Sequence, residues 1–273
     1  MEKTLVQELN DSYDEVMTNQ KSSGDAYGLL EIDKLGFYNF GYWEGGADSI
    51  EIAQIKLIEA LASFFPEKKD ATLLDVGCGT GAASKFLTKY FSPRNITGIN
   101  ISEKQLEVCR AIAAQCDFRL MDATDLDFED ATFDCVLCIE SAHHFKPRTQ
   151  FFREAGRVLK SGGRLALQDT VLHDFKFLET AFPGESYISW PQENCVPDLA
   201  AYRDSLLQAG FSYVRVLDVT DNAVCAWMRF RIKQLEQDAS AADGYSVLEN
   251  HRRLEQFTRA QSPWSWCMVF AIK

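Results

Sequence analysis

The sequence predicts an α/β fold in which helices cover both faces of a doubly wound, mainly parallel sheet. From Ala71 onward, short apolar runs alternate with helical patterns, as they do in strand–helix–strand units. A glycine-rich turn, Gly77 to Gly81, joins the apolar run LLDV directly to one of these helical patterns. The composition is 46% hydrophobic and 25% charged, which is typical of a globular chain with a sizeable core.

The predicted elements follow in the order that such a sheet requires. The first five predicted strands are Thr72–Val76, Asn95–Asn100, Asp117–Met121, Phe133–Ile139 and Gly163–Gln168. The helices predicted between them lie near Ala82–Tyr90, Glu103–Ala114 and Thr149–Leu159. A further predicted helix and the last two predicted strands are Asp198–Ala209, Phe211–Val219 and Ser265–Lys273. Ser102 is predicted to cap its helix, with Gln105 completing a capping box.

We expect a single domain with additional segments around the sheet. Residues 1–70 are predicted to form an N-terminal helical segment that contains the aromatic loop GFYNFGYWEGG at residues 36–46. This loop is too apolar for an ordinary linker and is expected to cover the site. Residues 71–273 are the predicted core. Within the core, residues 170–197 are a candidate lid and residues 222–261 a predicted helical insert.

Charge and composition exclude several classes of protein. Lys and Arg total 28 while Asp and Glu total 40, and the resulting net charge of −12 argues against a nucleic-acid partner. No run approaches the roughly eighteen apolar residues of a membrane-spanning helix, so we expect a cytoplasmic protein without membrane insertion. The cysteines lack zinc-site spacing and are expected to be reduced core residues, so no metal is predicted. A homo-oligomer is compatible with the sequence.

The turn after the first predicted strand is expected to bind a ligand. Gly77, Gly79 and Gly81 allow backbone amides to approach a ligand closely. Because Gly77, Gly79 and Ala82 also satisfy the dinucleotide pattern G-x-G-x-x-G/A, the turn alone does not identify the ligand. Asp75 lies two residues before the first glycine, and its carboxylate favours a cationic ligand over a pyrophosphate.

Several segments together resemble the class I S-adenosylmethionine-dependent methyltransferases. LLDVGCGTG is similar to the family's first motif, FRLMDATDLDFEDATFDCV to its adenine-binding region and fourth strand, and GRVLKSGGRLAL to its fifth-strand region. FGYWE and the ES-x-HH segment resemble the small-molecule branch, which includes tocopherol and sterol methyltransferases and natural-product sugar O-methyltransferases. The resemblance, from Tyr13 to Lys273, implies a seven-stranded Rossmann-like sheet, a helical cap or lid, and S-adenosylmethionine as the cofactor.

The resemblance also implies roles for the residues that match the family's motifs. Asp75 and the backbone of the three glycines, Gly77, Gly79 and Gly81, would hold the methionine part of the cofactor. Many class I enzymes place a ribose-binding acid after the second strand, and this chain has an amide there instead. That residue is Asn100, and Ile101, Ser102 and Gln105 resemble the substitute arrangement of the small-molecule branch, with Gln105 as the ribose partner. Asp122, with the amide of Ala123, would read the adenine edge.

Further residues are implied close to the ligands. Tyr13, in SYDEV, resembles an N-terminal family tyrosine near the cofactor. Glu140 and Ser141 follow the fourth predicted strand, at the sheet edge where open α/β folds bind ligands, and are expected to contact the cofactor's amino group or the acceptor. The aromatic residues expected to wall an apolar acceptor pocket are Phe37, Tyr38, Phe40, Tyr42, Trp43, Tyr187 and Trp190.

Two adjacent histidines are the candidate general base. A hydroxyl acceptor must lose its proton during methyl transfer, and a base with a pKa near the working pH suits this step. His143 and His144 lie just past the fourth predicted strand, and because adjacent side chains point in different directions, one of them is expected to face the acceptor. Asp169, at the end of the fifth predicted strand, is expected to orient that base.

The leading hypothesis is O-methylation of a small, largely apolar metabolite in a natural-product pathway. C-methylation and N-methylation stay open, because an alkene acceptor would use Glu140 to take the proton from a cationic intermediate and an amine needs little assistance. An NAD-dependent oxidoreductase shares the glycine turn, and a cyclase or binding protein could keep the methyltransferase fold. The sequence leaves the acceptor unidentified.

Overall fold

The structure is built around one mixed β-sheet. The computed structural model describes residues 37, 39–177, 191–237 and 263–273. The strands in these ranges are β1 Leu73–Val76, β2 Ile96–Asn100, β3 Asp117–Leu120, β4 Phe133–Ile139, β5 Leu159–Leu172, β6 Tyr213–Asp218 and β7 Trp264–Ile272. Their order across the sheet is β3-β2-β1-β4-β5-β7-β6, with β7 antiparallel to both of its neighbours and the remaining pairs parallel. The predicted doubly wound, seven-stranded fold is confirmed.

Helices connect the strands and cover the sheet. Those with described ends are α1 Ile50–Ala62, α2 Ala82–Leu87, α3 Glu103–Ile112, α4 Arg148–Val158, α5 Leu199–Gln208 and α6 Ala226–Gln237. Side-chain caps explain where three of them begin, because Ser49, Ser102 and Asp198 each accept a hydrogen bond from a backbone amide in the first turn of α1, α3 and α5. Short 3-10 turns occur at Pro93–Asn95, Ala142–His144 and Gln192–Asn194.

Strand side chains alternate between two hydrophobic cores, one on each face of the sheet. Leu74 of β1 belongs to a core that includes Phe152 of α4 and Leu206 of α5. Its neighbour Leu73 belongs to the opposite core, which includes Leu57 of α1. Because both faces are covered, the central strands carry continuous apolar runs instead of the hydrophobic–polar alternation of a half-exposed sheet.

β5 is longer than the sequence predicts. The apolar pattern predicts Gly163–Gln168, whereas the strand spans Leu159–Leu172. It continues because the antiparallel partner β7 pairs with it as far as Leu172, which lies opposite Trp264. Residues 170–172, at the start of the predicted lid, are therefore strand residues.

The segments around the sheet are described in part. Of residues 1–70, the structure describes Phe37 and residues 39–70, which include α1. Of the insert at residues 222–261, residues 222–237 are helical and residues 238–261 lie outside the described residues, as do residues 178–190 of the candidate lid. The covering roles of the loop, lid and insert stay predictions.

Several smaller expectations can be compared with the described residues. Among them, no helix combines the length and apolar character needed to cross a membrane. The same residues contain no group of three or more His, Cys, Asp or Glu side chains that could hold a metal ion. All eight cysteines fall within the described ranges and are free thiols. The cytoplasmic location stays a prediction.

Two neighbouring leucines on α5 provide a matched test of this packing. Leu206 is fully buried, whereas Leu207 is 41% exposed. Leu206→Ala should lower the free energy of unfolding by about 2–5 kcal/mol, because it removes buried apolar surface and leaves a cavity. Leu207→Ala should change it by less than about 0.5 kcal/mol. Urea unfolding followed by circular dichroism measures both values, and equal losses would contradict the packing of α5 described above.

Candidate active site

The candidate site lies where the direction of strand connection reverses. β1 and β4 are adjacent in the sheet. The helix that follows β1, α2, packs on one face of the sheet, and the helix that follows β4, α4, packs on the other. Open α/β sheets bind ligands at the carboxyl edge of such a switch point. Gly77 follows β1 and Glu140 follows β4 at this edge. The structure therefore brings together the glycine turn, which begins at Gly77, and the ES-x-HH segment, which begins at Glu140.

The glycine turn has a backbone that other residues adopt with strain. Gly77, Gly79 and Gly81 have φ values of 69°, 54° and 80°. A Cβ atom at Gly77 would lie 2.5 Å from Oγ of Ser141, and one at Gly81 would lie 3.0 Å from Sγ of Cys109. The Ser141 hydroxyl also donates a hydrogen bond to the carbonyl of Gly77 at 3.2 Å. The turn is thus packed closely against the segment after β4.

Asp75 lies beneath this turn. Its carboxyl is 2% exposed, and Oγ of Ser84 donates a hydrogen bond to Oδ2 at 2.5 Å. Burial raises the pKa of Asp75 to about 6, and the hydrogen bond from Ser84 opposes the rise. The carboxyl is therefore held in one place under the backbone that follows β1.

An amide pair occupies the end of β2, where an acid is common in class I enzymes. Nδ2 of Asn100 donates hydrogen bonds to the carbonyl of Gly79 at 3.2 Å and to Oε1 of Gln105 at 2.7 Å. Oδ1 of Asn100 accepts from the backbone amide of Ile101 at 2.7 Å. An aspartate could not donate these two bonds. The side-chain oxygen of Gln105 accepts from Asn100, so the two side chains form a linked amide pair.

The next strand end carries the predicted adenine-binding residues. Asp122 is half-buried, and its Oδ1 accepts hydrogen bonds from the amide and the hydroxyl of Thr124, both at 2.8 Å. Ala123 is buried beside it. These bonds fix the carboxylate within a local turn after β3. Tyr13, the remaining residue implied near the cofactor, lies outside the described residues.

The two histidines have different surroundings. His143, in the 3-10 turn Ala142–His144, places Nδ1 3.2 Å from Oδ1 of Asp169 on β5. The His144 ring lies against it, tilted by 46° with ring centroids 3.8 Å apart, and the backbone amide of His144 donates to the carbonyl of Ser141. Of the two histidines, His143 is therefore the one for which the structure provides the carboxylate partner expected from the sequence.

Asp169 is a fully buried carboxylate surrounded by donors. Its Oδ2 accepts from the hydroxyl of Tyr202 at 2.8 Å and from Nη1 of Arg148 at 3.1 Å. Burial by itself would raise the pKa of Asp169, but the charge of Arg148 and the hydrogen bond from His143 outweigh it and hold the pKa below its ordinary value. An ionised carboxylate only accepts hydrogen bonds, so Nδ1 of His143 is the donor in its contact with Asp169.

Glu140 links the aromatic loop to the sheet edge. Its φ of 46° is positive, and its Oε1 accepts a hydrogen bond from the backbone amide of Phe40 at 3.0 Å. The Phe40 ring packs edge-on against Trp227 and Trp266, with centroid distances of 5.0 and 5.8 Å. Burial, reinforced by the nearby charge of Asp169, raises the pKa of Glu140 to about 8. Of the other predicted pocket aromatics, Tyr38, Tyr187 and Trp190 lie outside the described residues.

Sequence reasoning missed Arg148, Tyr202 and Asn194, which contact the histidine–aspartate pair or its turn. The sequence carries one signal for Arg148: a cation at the first position of a helix is disfavoured by the helix dipole, so it needs a specific partner. Tyr202 resembles an ordinary core residue at helical spacing from Leu206, so its sequence position carries no such signal.

Comparisons with known proteins show which family the chain resembles. The methyltransferase domain family matches residues 74–167. The erythromycin 3''-O-methyltransferase of Saccharopolyspora erythraea is 32% identical over 217 residues, which cover 74% of this chain and 71% of that protein. The 27-O-demethylrifamycin SV methyltransferase of Amycolatopsis mediterranei is 42% identical over 157 residues, or 54% of this chain and 57% of that protein.

The fold likeness extends over the whole chain. The crystal structure of the (4+2)-cyclase SpnF superposes with a TM-score of 0.71 at 24% identity, covering 99% of this chain and 97% of that chain. At this identity the likeness supports the fold alone. Together with the sequence relatives it leads to one conclusion: the chain belongs to the class I S-adenosylmethionine-dependent methyltransferases. Its cofactor is S-adenosylmethionine.

The described residues at the sheet edge fit the chemistry of that cofactor. The turn after β1 lacks side chains at three positions with positive φ, which leaves its backbone open to close approach. Asp75 and Asp122 are acids, suited to cationic and amino groups, and the Gln105 amide nitrogen is a donor suited to hydroxyl oxygens. These groups lie at the carboxyl ends of β1, β3 and β2, on the edge where such folds bind ligands.

Gly77→Ala tests the close approach in this turn, with Gly162→Ala as the matched control. Both glycines have positive φ, but a Cβ at Gly162 would meet nothing within 4 Å. Gly162→Ala should cost only the left-handed strain of about 1–2 kcal/mol. Gly77→Ala adds a collision with Ser141, costing about 1–3 kcal/mol more. Calorimetric titration should show binding of S-adenosylhomocysteine weakened about tenfold or more in Gly77→Ala alone; equal affinities in the two variants would contradict the geometry.

Proposed function

We propose that this enzyme transfers a methyl group from S-adenosylmethionine to a hydroxyl oxygen of a small, largely apolar metabolite in a natural-product pathway. The observation that carries the proposal is the 3.2 Å contact between Nδ1 of His143 and Oδ1 of Asp169 at the carboxyl edge of β4 and β5. One sequence relative is named erythromycin 3''-O-methyltransferase and another 27-O-demethylrifamycin SV methyltransferase, and these names support an oxygen acceptor.

Three strand ends would hold the cofactor. The proposed contacts to its methionine part come from the turn after β1 and the buried acid beneath it. Those to the ribose come from the amide pair after β2, and those to the adenine from the segment after β3. The residues assigned to these contacts are Asp75, Gly77, Gly79, Gly81, Asn100, Ile101, Gln105, Asp122 and Ala123, with Tyr13 and Glu140 as additional candidates.

The cofactor supplies an electrophilic methyl group on a sulfonium, so the protein contributes chiefly by alignment, by exclusion of water and by removing the acceptor's proton. In the proposed mechanism, Nε2 of His143 accepts that proton as the acceptor oxygen attacks. Asp169 keeps the imidazole in the required tautomer and stabilises the imidazolium that results.

Glu140, the candidate base for the competing C-methylation reaction, is already engaged by the aromatic loop. Its hydrogen bond with the amide of Phe40 suits a different role, in which it holds the aromatic loop against the sheet edge. In this role the loop would shield an apolar acceptor from water.

The partners and location follow the sequence-based expectations. We propose a small-molecule acceptor as the only substrate besides the cofactor, and no nucleic acid, because the net charge is −12. A cytoplasmic location and a homo-oligomeric assembly stay predictions.

His143→Ala and His144→Ala separate the two histidines. With a hydroxylated acceptor that the wild-type enzyme is first shown to methylate, His143→Ala should lower kcat by about 10²–10⁴, the usual contribution of a general base. His144→Ala should lower it far less, because the Asp169 contact belongs to its neighbour. Chromatography of the methylated product measures turnover, and calorimetry should give the same affinity for S-adenosylhomocysteine in both variants. Turnover of His143→Ala within a few fold of wild type, or a product methylated on carbon or nitrogen, would disprove the proposal.

A further inference from the structure

A buried arginine lies behind the histidine–aspartate pair. Arg148 is 3% exposed and begins α4, where the helix dipole disfavours a cation. Its Nη1 donates to Oδ2 of Asp169 at 3.1 Å, and its guanidinium stacks over the ring of Tyr202 at 4.6 Å from the centroid. A buried cation is retained only where paired groups compensate for lost hydration. The position of Arg148 is therefore explained by the carboxylate that it faces.

The two oxygens of Asp169 are used differently. Oδ1 contacts the imidazole of His143, while Oδ2 accepts from both Arg148 and the hydroxyl of Tyr202. Two donors on Oδ2 fix the plane of the carboxylate, and that plane determines where Oδ1 points. Because β5, α4 and α5 supply one residue each, the orientation of the carboxylate is set by three packed elements.

We propose that Arg148 and Tyr202 are positioning residues that hold the Asp169 carboxylate aimed at the imidazole of His143. The inference rests on the proposed function, in which that imidazole removes the acceptor's proton. Neither residue touches the acceptor or the cofactor in this scheme. They act by keeping the proton of the imidazole on Nδ1, so that Nε2 stays available as the base.

Asn194 extends the same support to the backbone of the histidine turn. Its Nδ2 donates to the carbonyl of His143 at 3.1 Å and to that of Phe145 at 2.6 Å. Its Oδ1 accepts from the backbone amide of Arg148 at 2.8 Å, and its own carbonyl accepts from Nη2 of the same arginine at 2.7 Å. Asn194, within the candidate lid, thus joins that segment to both the arginine and the turn that carries the proposed base.

The pH dependence follows from the charges around Asp169. The titratable and charged groups that influence it or respond to it from the packed elements are His143, Arg148, Tyr202, Cys138, Cys267 and Glu140. Only the arginine among them is a permanent cation. Removing the charge of Arg148 raises the affinity of the buried aspartate–histidine pair for a proton, whichever of the two residues binds it. The rise of kcat/KM on the acid side of the pH profile should then move to higher pH.

Substitutions of Arg148 test this expectation. Arg148→Gln should move the acid limb of kcat/KM upward by about one to two pH units, the size of the effect of an arginine beside a carboxylate. Arg148→Lys keeps the charge but loses the planar fork, so it should leave the limb near its wild-type position while lowering kcat. Arg153→Gln, an exposed arginine on the same helix, is the control and should leave the whole profile unchanged.

Tyr202→Phe supplies a second variant that removes one hydroxyl and leaves the core filled. It should move the acid limb in the same direction by less than Arg148→Gln, because a neutral donor is lost instead of a charge. Tyr213→Phe, at a tyrosine that is 47% exposed, is the matched control. If Arg148→Gln does not fold, Tyr202→Phe decides the question.

The outcomes separate this inference from the proposed function. A lower kcat at every pH with an unmoved acid limb, in folded Arg148→Gln or Tyr202→Phe, would mean that these residues are only structural. The inference would then be overturned, while a large loss in His143→Ala would leave the proposed function standing. Wild-type turnover in His143→Ala would remove the proposed function itself, whatever the profile of the arginine variants.

Discussion

The candidate active site depends on one buried carboxylate. Asp169 is fully enclosed, and it remains charged because Arg148 and Tyr202 meet one of its oxygens while His143 meets the other. An uncompensated charge in this position would be costly, so the donors and the acceptor stabilise one another. The same contacts orient an imidazole at the sheet edge. A single set of interactions thus compensates a buried charge and, in the proposed mechanism, orients the base that removes the acceptor's proton.

The glycine turn supplies the other half of the site by a different physical means. At Gly77 the positive φ and the closeness of Ser141 leave no room for a side chain, so the turn lies directly against the segment after β4. The glycine turn and the turn that carries His143 are therefore neighbours in the structure. The parallel order of β1 and β4 places both at the same edge, as the switch point of a doubly wound sheet requires.

The elements with local signals were predictable from sequence, and those set by long-range contacts were not. The apolar run before Gly77 and the cap at Ser102 identify a strand and a helix from a few adjacent residues. The true end of β5 depends on pairing with β7, almost a hundred residues later, and no local pattern reports it. Likewise, the pair of His143 with Asp169 could be anticipated from strand ends, whereas the contact of Tyr202 arises only when α5 packs on the sheet.

The most direct test of the account is the protonation of the imidazole itself. Nitrogen-15 NMR of histidine-labelled enzyme at neutral pH reports which ring nitrogen carries hydrogen, and the spectrum of a His143→Ala variant assigns the signal. We expect Nδ1 of His143 to be protonated and Nε2 to be unprotonated, because the ionised carboxylate of Asp169 can only accept a hydrogen bond. A signal from His143 with the proton on Nε2 would contradict it, since the proposed base would then have no lone pair to offer.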